Sequence, residues 1–321
     1  MTAAVEPRVK AVFLFNHRFE RNVPTLEALH KDRFSRRHYI MPFASEPAAN
    51  VSRVYEQGRY FSGHLAQATP DFVEPGITHY AIIPDDLLLN PSLDETNLID
   101  RFGLAPGQAY IKNLAVADTL RDRWPWAVDA RMAFRRAALA VDHRSVLPPA
   151  TDARAKFEAM GLRFGGREGV SIARRVRNRR ELFSKSRKAF LASLVVHDRV
   201  SDYPLLCGYS DFLIIPAEVI ETFAMYCGML AAMNVFAEVA VPTALALAAT
   251  SVRTELRLNS HFMDQPPPRP GENERRGVEF WDVVSMQNAA PWLEDGSLDR
   301  ILASFPPHWN YIHPVKLSRS L

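Results

Sequence analysis

Two adjacent carboxylates, Asp85 and Asp86, stand directly after an apolar run and a proline, Tyr80-Ala81-Ile82-Ile83-Pro84. Leu87-Leu88-Leu89 and an Asn90-Pro91 stop follow them. A short apolar run between breakers reads as a buried strand. Carboxylates at the end of such a strand are costly unless a cation or hydrogen bonds meet them. Paired hard oxygens suit Mg²⁺ or Mn²⁺, which keep part of their water shell and take phosphate oxygens as further ligands. The same two Asp residues could instead cap a turn. Three other features carry chemistry. Cys207-Gly208-Tyr209-Ser210-Asp211 is a turn before the apolar run Phe212-Leu213-Ile214-Ile215. Glu238 is isolated among Asn234-Val235-Phe236-Ala237 and Val239-Ala240-Val241. Desolvation there disfavours its charged form and moves it toward use as a general base, unless an arginine pairs with it. His313 and Lys316 lie near the C-terminus: a neutral imidazole is a metal ligand, and an ammonium neutralises phosphate.

The elements that must position these groups alternate. Val9 to Phe15 is expected to be a first central strand, ending in the glycine-free polar loop Asn16 to Asn22. A helix from Pro24 to Asp32, a strand from His38 to Phe43, a helix from Asn50 to Ala68 and the strand before Asp85 follow. That order predicts a parallel sheet with crossover helices. Ligands of such sheets sit at the carboxyl ends of the strands, where Asn16–Asn22 and Asp85-Asp86 both fall. Neither GxGxxG nor GxxxxGK[ST] is present, which argues against dinucleotide-binding and P-loop sites. From about Ile111 to Val200 the texture turns Arg- and Ala-rich and mostly helical, with breaks at Pro148-Pro149 and Gly165-Gly166. Further on come a strand over Phe212–Ile215, a helix over Ala217–Cys227, and a helix from Thr243 whose end, Val252–Leu258, could equally be a strand. Gln265 to Gly277 is a polar, Pro-rich loop.

The whole chain of 321 residues is 47% hydrophobic with a net charge of +3, which allows a sizeable core and excludes a general polyanion binder. Two cysteines without CxxC argue against a disulfide framework or structural zinc and fit a reducing cytosol. Met1–Lys10 lacks the apolar core of a signal peptide. The longest apolar stretch, Phe223–Thr250, is broken by Asn234, Glu238 and Pro242 and reads as buried helix and turn, not as a membrane span. A cytoplasmic protein is expected, with peripheral contact at the inner face of a membrane left open.

In their order along the chain, Tyr80–Asp86, Cys207–Pro216, Phe236-Ala237-Glu238 and Ile312-His313-Pro314-Val315-Lys316 resemble a GT-A fold, nucleotide-sugar-dependent glycosyltransferase. The likeness spans about two-thirds of the chain and omits the helical part. It implies a GT-A-like (Rossmann-like) α/β domain: a mixed, mostly parallel sheet flanked by helices. Residues 1–105 would be the nucleotide-sugar half, 106–200 a helical insertion on the acceptor side, and 201–321 the acceptor and catalytic half. It implies a nucleotide held by Phe15, Asn16, Arg18 and Glu20. The DxD-type motif is Pro84-Asp85-Asp86 here, with proline in the first acidic position, so Asp86 falls to the metal and Asp85 to the ribose. Gly208 and Tyr209 would line the donor, His313 would complete the Mn²⁺ or Mg²⁺ site, and Lys316 would meet phosphate. Glu238 is the expected base, with Asp211 in reserve, in an inverting transfer of the hexosyltransferase type from a nucleoside diphosphate sugar, a UDP-sugar by expectation. The acceptor would be a hydroxyl on a saccharide, a lipid-linked glycan or a small molecule, an anionic one if the basic run from Arg163 to Lys188 contacts it. The Pro-rich loop and the segment with Trp281, Trp292 and Trp309 would close over the donor.

Two alternatives compete. A sugar nucleotidyltransferase would need a Gly-rich loop after the first strand, which Asn16–Asn22 lacks. A non-catalytic binder of an anionic surface or nucleic acid would work through the basic run from Arg163 to Lys188. That run has few aromatics beyond Phe183 and Phe190 for stacking on bases.

Overall fold

The apolar run near the start of the chain forms β1 (Val9–Leu14), buried along its whole length. It belongs to a computed structural model that describes residues 8–45, 48–120, 124–164, 203–256, 258–259, 276–279, 298–315 and 317. After it come α1 (Asn22–His30), β2 (Arg37–Pro42), β3 (Val51–Val54), α2 (Phe61–Phe72), β4 (His79–Pro84) and β5 (Leu88–Leu89). A short helix, α3 (Leu98–Arg101), leads to β6 (Gln108–Ile111), β7 (Ala115–Val116), α4 (Pro125–Ala137) and α5 (Ala150–Ala159). The second half holds β8 (Leu206–Cys207), β9 (Leu213–Pro216), α6 (Ile220–Ala232), α7 (Ala237–Ala248) and β10 (Ser251–Arg253). It closes with β11 (Arg276–Glu279), α8 (Leu298–Ala303) and β12 (Trp309–His313).

Seven strands make one sheet in the order β3-β2-β1-β4-β9-β6-β10. The pairs β1–β2, β1–β4, β2–β3 and β6–β10 are parallel. β9 runs against both of its neighbours, β4 and β6. The sheet is therefore mixed and mostly parallel, in an α/β architecture compatible with a Rossmann-like fold.

Both faces are covered, so the central strands are apolar on both sides rather than alternating with polar residues. Val12, Leu14, Ile82 and Ile215 face a core closed by α2, α6 and α7. Ala11, Phe13, Phe15, Ile83 and Ile214 face a second core with Leu26 of α1 and Tyr311 and Ile312 of β12. Burying one such side chain contributes about 1.5–3 kcal/mol. A smaller sheet, β11-β12-β5, attaches the C-terminal segment to the chain just after Asp86. Among the described residues no helix is long and apolar enough to cross a membrane.

The structure corrects the expected elements in two places. The helix expected over Asn50–Ala68 begins only at Phe61, and Val51–Val54 is a parallel strand on β2. Within it Ser52 and Val54 are buried and Arg53 is exposed, a period of two that the helical spacing of Val51, Val54 and Phe61 obscures. An open edge on β2 supplies backbone partners that a helix there would forgo. The helical segment expected from residue 106 begins only at Pro125, because Gln108–Ile111 is a strand of the main sheet between β9 and β10. The open choice at Val252 resolves to a strand, Ser251–Arg253. The Gly165-Gly166 break, the basic residues from Arg167 to Lys188, the Pro-rich stretch Gln265–Gly271, Trp281, Trp292 and Lys316 lie outside the described residues.

Candidate functional site

Strand register decides what meets at the carboxyl edge of the sheet. Leu14 of β1 pairs with Pro84 of β4, so the loop after β1 and the Asp pair emerge side by side. Asp85 donates its backbone N–H to the Leu14 carbonyl (3.0 Å), and its Oδ2 accepts from Asn22 Nδ2 (3.0 Å). Because β9 is antiparallel, with Ile82 opposite Leu213, its amino end and the preceding Asp211 reach the same edge. β6 ends there too, Ile111 opposite Leu213, which delivers Lys112 and Asn113.

The C-terminal segment arrives by antiparallel pairing of β12 with β5, Tyr311 opposite Leu89 and Ile312 opposite Leu88. One residue further, His313 is set beside the chain that leaves Asp86. Val315 N–H donates to the Asp86 carbonyl (2.6 Å). Asn90 locks the pairing, with Nδ2 donating to the Trp309 carbonyl (2.8 Å) and N–H to the Asn310 carbonyl (2.8 Å). The outcome is a contact of 3.1 Å between His313 Nε2 and Asp86 Oδ1, across 227 positions of sequence. Asp211 Oδ1 is 3.9 Å from the same nitrogen. The His313 side chain is 2% exposed, against 20% for Asp86 and 14% for Asp211, so the imidazole is the inner wall and the carboxylates face outward.

Among the described residues no three His, Cys, Asp or Glu side chains form a finished metal-ligand set. The donor chemistry nevertheless fits a hard divalent cation: two carboxylate oxygens and one imidazole nitrogen. Ligands at right angles around such an ion, with bonds of about 2.1 Å, stand roughly 3 Å apart. The 3.1 Å contact matches that spacing, while the 3.9 Å one would have to shorten. Asp86 and His313 are the residues that would hold a metal, and Asp211, expected as a reserve base, stands next to them.

Gly208 and Tyr209 are held by β6. Tyr209 N–H donates to Asn113 Oδ1 (2.9 Å). A Cβ on Gly208 would run into the Asn113 backbone carbonyl, so only glycine lets the two segments approach. Gly208 N–H also donates to the Glu238 carbonyl (3.1 Å), which ties this turn to the first turn of α7. Glu238 itself is half-buried. It lies close enough to the Cys207 thiol to push its pKa up, adding to the larger effect of burial.

In the loop after β1 the expected nucleotide residues separate. Phe15 is fully buried in the second core, so its ring offers no surface to a base, a correction that follows from the apolar covering on that face of β1. Asn16 is half-buried, and its Oδ1 is enclosed without a hydrogen-bond partner among the described residues. Arg18 is exposed. Glu20 is engaged by Ser45, whose N–H (2.6 Å) and hydroxyl (2.5 Å) donate to its Oε1; these bonds hold its carboxyl below the usual range.

Lys112 and Asn113 were not among the expected site residues. Lys112 is 1% exposed, donates to the Gly277 carbonyl (3.0 Å) and stands 5.5 Å and 5.7 Å from the Tyr209 and Tyr311 ring centres. The signal was present: an apolar run, Ala109-Tyr110-Ile111, ending in two polar residues, as at Asp85-Asp86.

The fold is α/β and compatible with a Rossmann-like class, with two carboxylates and a histidine gathered at the carboxyl edge of the parallel strands. Compared with known proteins, the chain matches no family model, no curated relative and no solved structure.

Proposed function

We propose that this chain is a GT-A-type glycosyltransferase that moves a sugar from a nucleoside diphosphate sugar, a UDP-sugar in the first instance, to a hydroxyl acceptor with inversion. The observation that carries the reading is the convergence of Asp86, His313 and Asp211 at the carboxyl edge, from β4, β12 and the turn before β9.

Breaking the anomeric carbon–oxygen bond leaves negative charge on the departing diphosphate. A bound Mn²⁺ or Mg²⁺ would supply Lewis-acid stabilisation of that charge. Asp86 and His313, with Asp211 beside them, would hold the ion; β5–β12 pairing sets His313 beside Asp86. Asp85, fixed by Asn22, faces the ribose side. Glu238 takes the proton of the attacking hydroxyl, a role worth about 10²–10⁴-fold in rate.

The test is a thermal-shift titration of the intact protein with UDP, GDP, ADP and CDP, each with and without Mn²⁺. Stabilisation by one nucleotide, only in the presence of metal, is expected. Equal behaviour with and without Mn²⁺ for all four sinks the proposal.

A further inference from the structure

Near Glu238 a second cluster is left partly open to water. Trp126 of α4 is 38% exposed although large aromatic rings gain most by burial. Its ring stacks beside Phe236, at 5.0 Å between centres and 28° between planes. The Arg59 guanidinium lies 4.4 Å from the Trp126 ring centre and 5.7 Å from that of Phe236. Asp129, one turn further along α4, is 3.5 Å from Arg59. The Arg59 and Asp129 side chains are 41% and 39% exposed.

Two anchors tie this cluster to the loop after β1 and to the start of α7. Phe236 is the residue that caps α7, two positions before Glu238. Gly58, next to Arg59, rests on the loop after β1: a Cβ there would lie 2.6 Å from the Asn16 carbonyl oxygen. The cluster therefore bridges from the Asn16 loop to the start of α7.

We propose that Trp126, Phe236, Arg59 and Asp129 form a saccharide-binding platform that receives the acceptor beside Glu238. A pyranose ring has an apolar C–H face and an equatorial rim of hydroxyls. The aromatic faces carry negative quadrupole charge and attract the slightly positive C–H groups. The guanidinium presents N–H donors in a plane, and the carboxylate presents acceptors, so both sides of a hydroxyl can be met. An exposed ion pair contributes little by itself, so Arg59 and Asp129 can turn to a ligand at small cost. An anionic acceptor is disfavoured, because Asp129 opposes whatever Arg59 attracts. The role of the platform as acceptor site rests on the glycosyltransferase reading, whereas saccharide binding does not.

The experiment uses the full chain without donor. Methyl glucosides, N-acetylglucosamine, maltose and cellobiose are titrated by saturation-transfer NMR and tryptophan fluorescence, in wild type, Trp126→Ala and Asp129→Asn. UDP with Mn²⁺ is titrated in parallel. At least one saccharide is expected to bind wild type saturably and Trp126→Ala roughly tenfold or more weakly. UDP–Mn²⁺ binding should be the same in both. No saccharide binding to wild type, or binding unchanged in both variants, overturns the platform while leaving the UDP–Mn²⁺ result to judge the glycosyltransferase separately. Loss of UDP–Mn²⁺ binding in a folded Trp126→Ala protein overturns it too, since the cluster would then serve the nucleotide. Both altered groups are exposed, and Asp129→Asn keeps the side-chain shape if Trp126→Ala proves unstable.

Discussion

At the amino edge of the seven-stranded sheet, Lys10 donates to the Phe72 carbonyl (2.9 Å) and lies 3.3 Å from Glu74, which also sits 3.5 Å from Arg36. Ser52 donates to Asp71 (2.6 Å) and meets His38 Nε2 at 2.8 Å. These charges meet an opposite charge, a backbone carbonyl or a hydroxyl from an adjoining element. At the carboxyl edge Asp86 and Asp211, two groups of the same sign, approach one imidazole carried in by the C-terminal segment. The first arrangement lowers the free energy of the folded chain. The second gathers negative charge where a cation could be held, and like-charge proximity of that kind marks function more often than stability.

The largest effect should come from breaking the carboxyl-edge cluster. Asp86→Asn or His313→Ala should abolish Mn²⁺-dependent stabilisation by nucleotide and cut turnover by about 10²–10³-fold, with circular dichroism unchanged. Retained metal dependence in both variants would remove this cluster from the site. Glu238→Gln should lower kcat by about 10²-fold or more while leaving UDP–Mn²⁺ affinity alone, as expected for a group used only in the transition state. If it chiefly lowers the unfolding midpoint, Glu238 is structural.

Stability effects should dominate elsewhere. Gly208→Ala forces a methyl group onto the Asn113 carbonyl and should cost about 1–3 kcal/mol in urea unfolding, with activity lost alongside as Tyr209 shifts. At the amino edge, Ser52→Ala leaves His38 and Asp71 without their shared partner and should cost about 1–3 kcal/mol with kcat unchanged. A drop in kcat comparable to that of Glu238→Gln would erase the contrast between the edges.

A further effect, spread over the acid pH range, concerns protonation. Burial pushes His30, enclosed between Phe13 and Phe34, down to about 3, and pushes His38 down to about 4, with Lys10 adding to the latter. Unfolding lets both take up protons at their ordinary value of about 6.5. The unfolded chain therefore binds more protons below that value, and stability should fall as pH drops from about 6.5 toward 3. The slope should reach roughly 1.4 kcal/mol per pH unit for each histidine. His30→Leu should flatten this acid limb in urea melts followed at successive pH values; an unchanged slope would show that His30 takes no part.

Much of the sheet was legible in the order of residues, because β1, β2, β4 and β9 are apolar runs stopped by proline or polar residues. β3 was not, since four residues with two valines fit a helix and an edge strand equally well until β2 offers its open side. Lys112 and Asn113 went unread because a strand of four residues at the start of the segment expected to be helical is too short for its pattern to outweigh that expectation.

What the chain's own order of residues determined was local: which stretches must be buried, where they stop, and which ionisable groups lie at those stops. Hydrophobic burial and backbone sterics act over a few residues, so a linear sequence displays them directly. Which of those groups become neighbours was decided only in three dimensions. His313 reaches Asp86 because two residues of β5 pair antiparallel with β12, and Asp211 comes near His313 because β9 alone is reversed between β4 and β6. Pairing partner and strand direction are settled by competition among all strands for backbone hydrogen bonds and covered faces, a property of the assembled sheet and not of any single stretch within it.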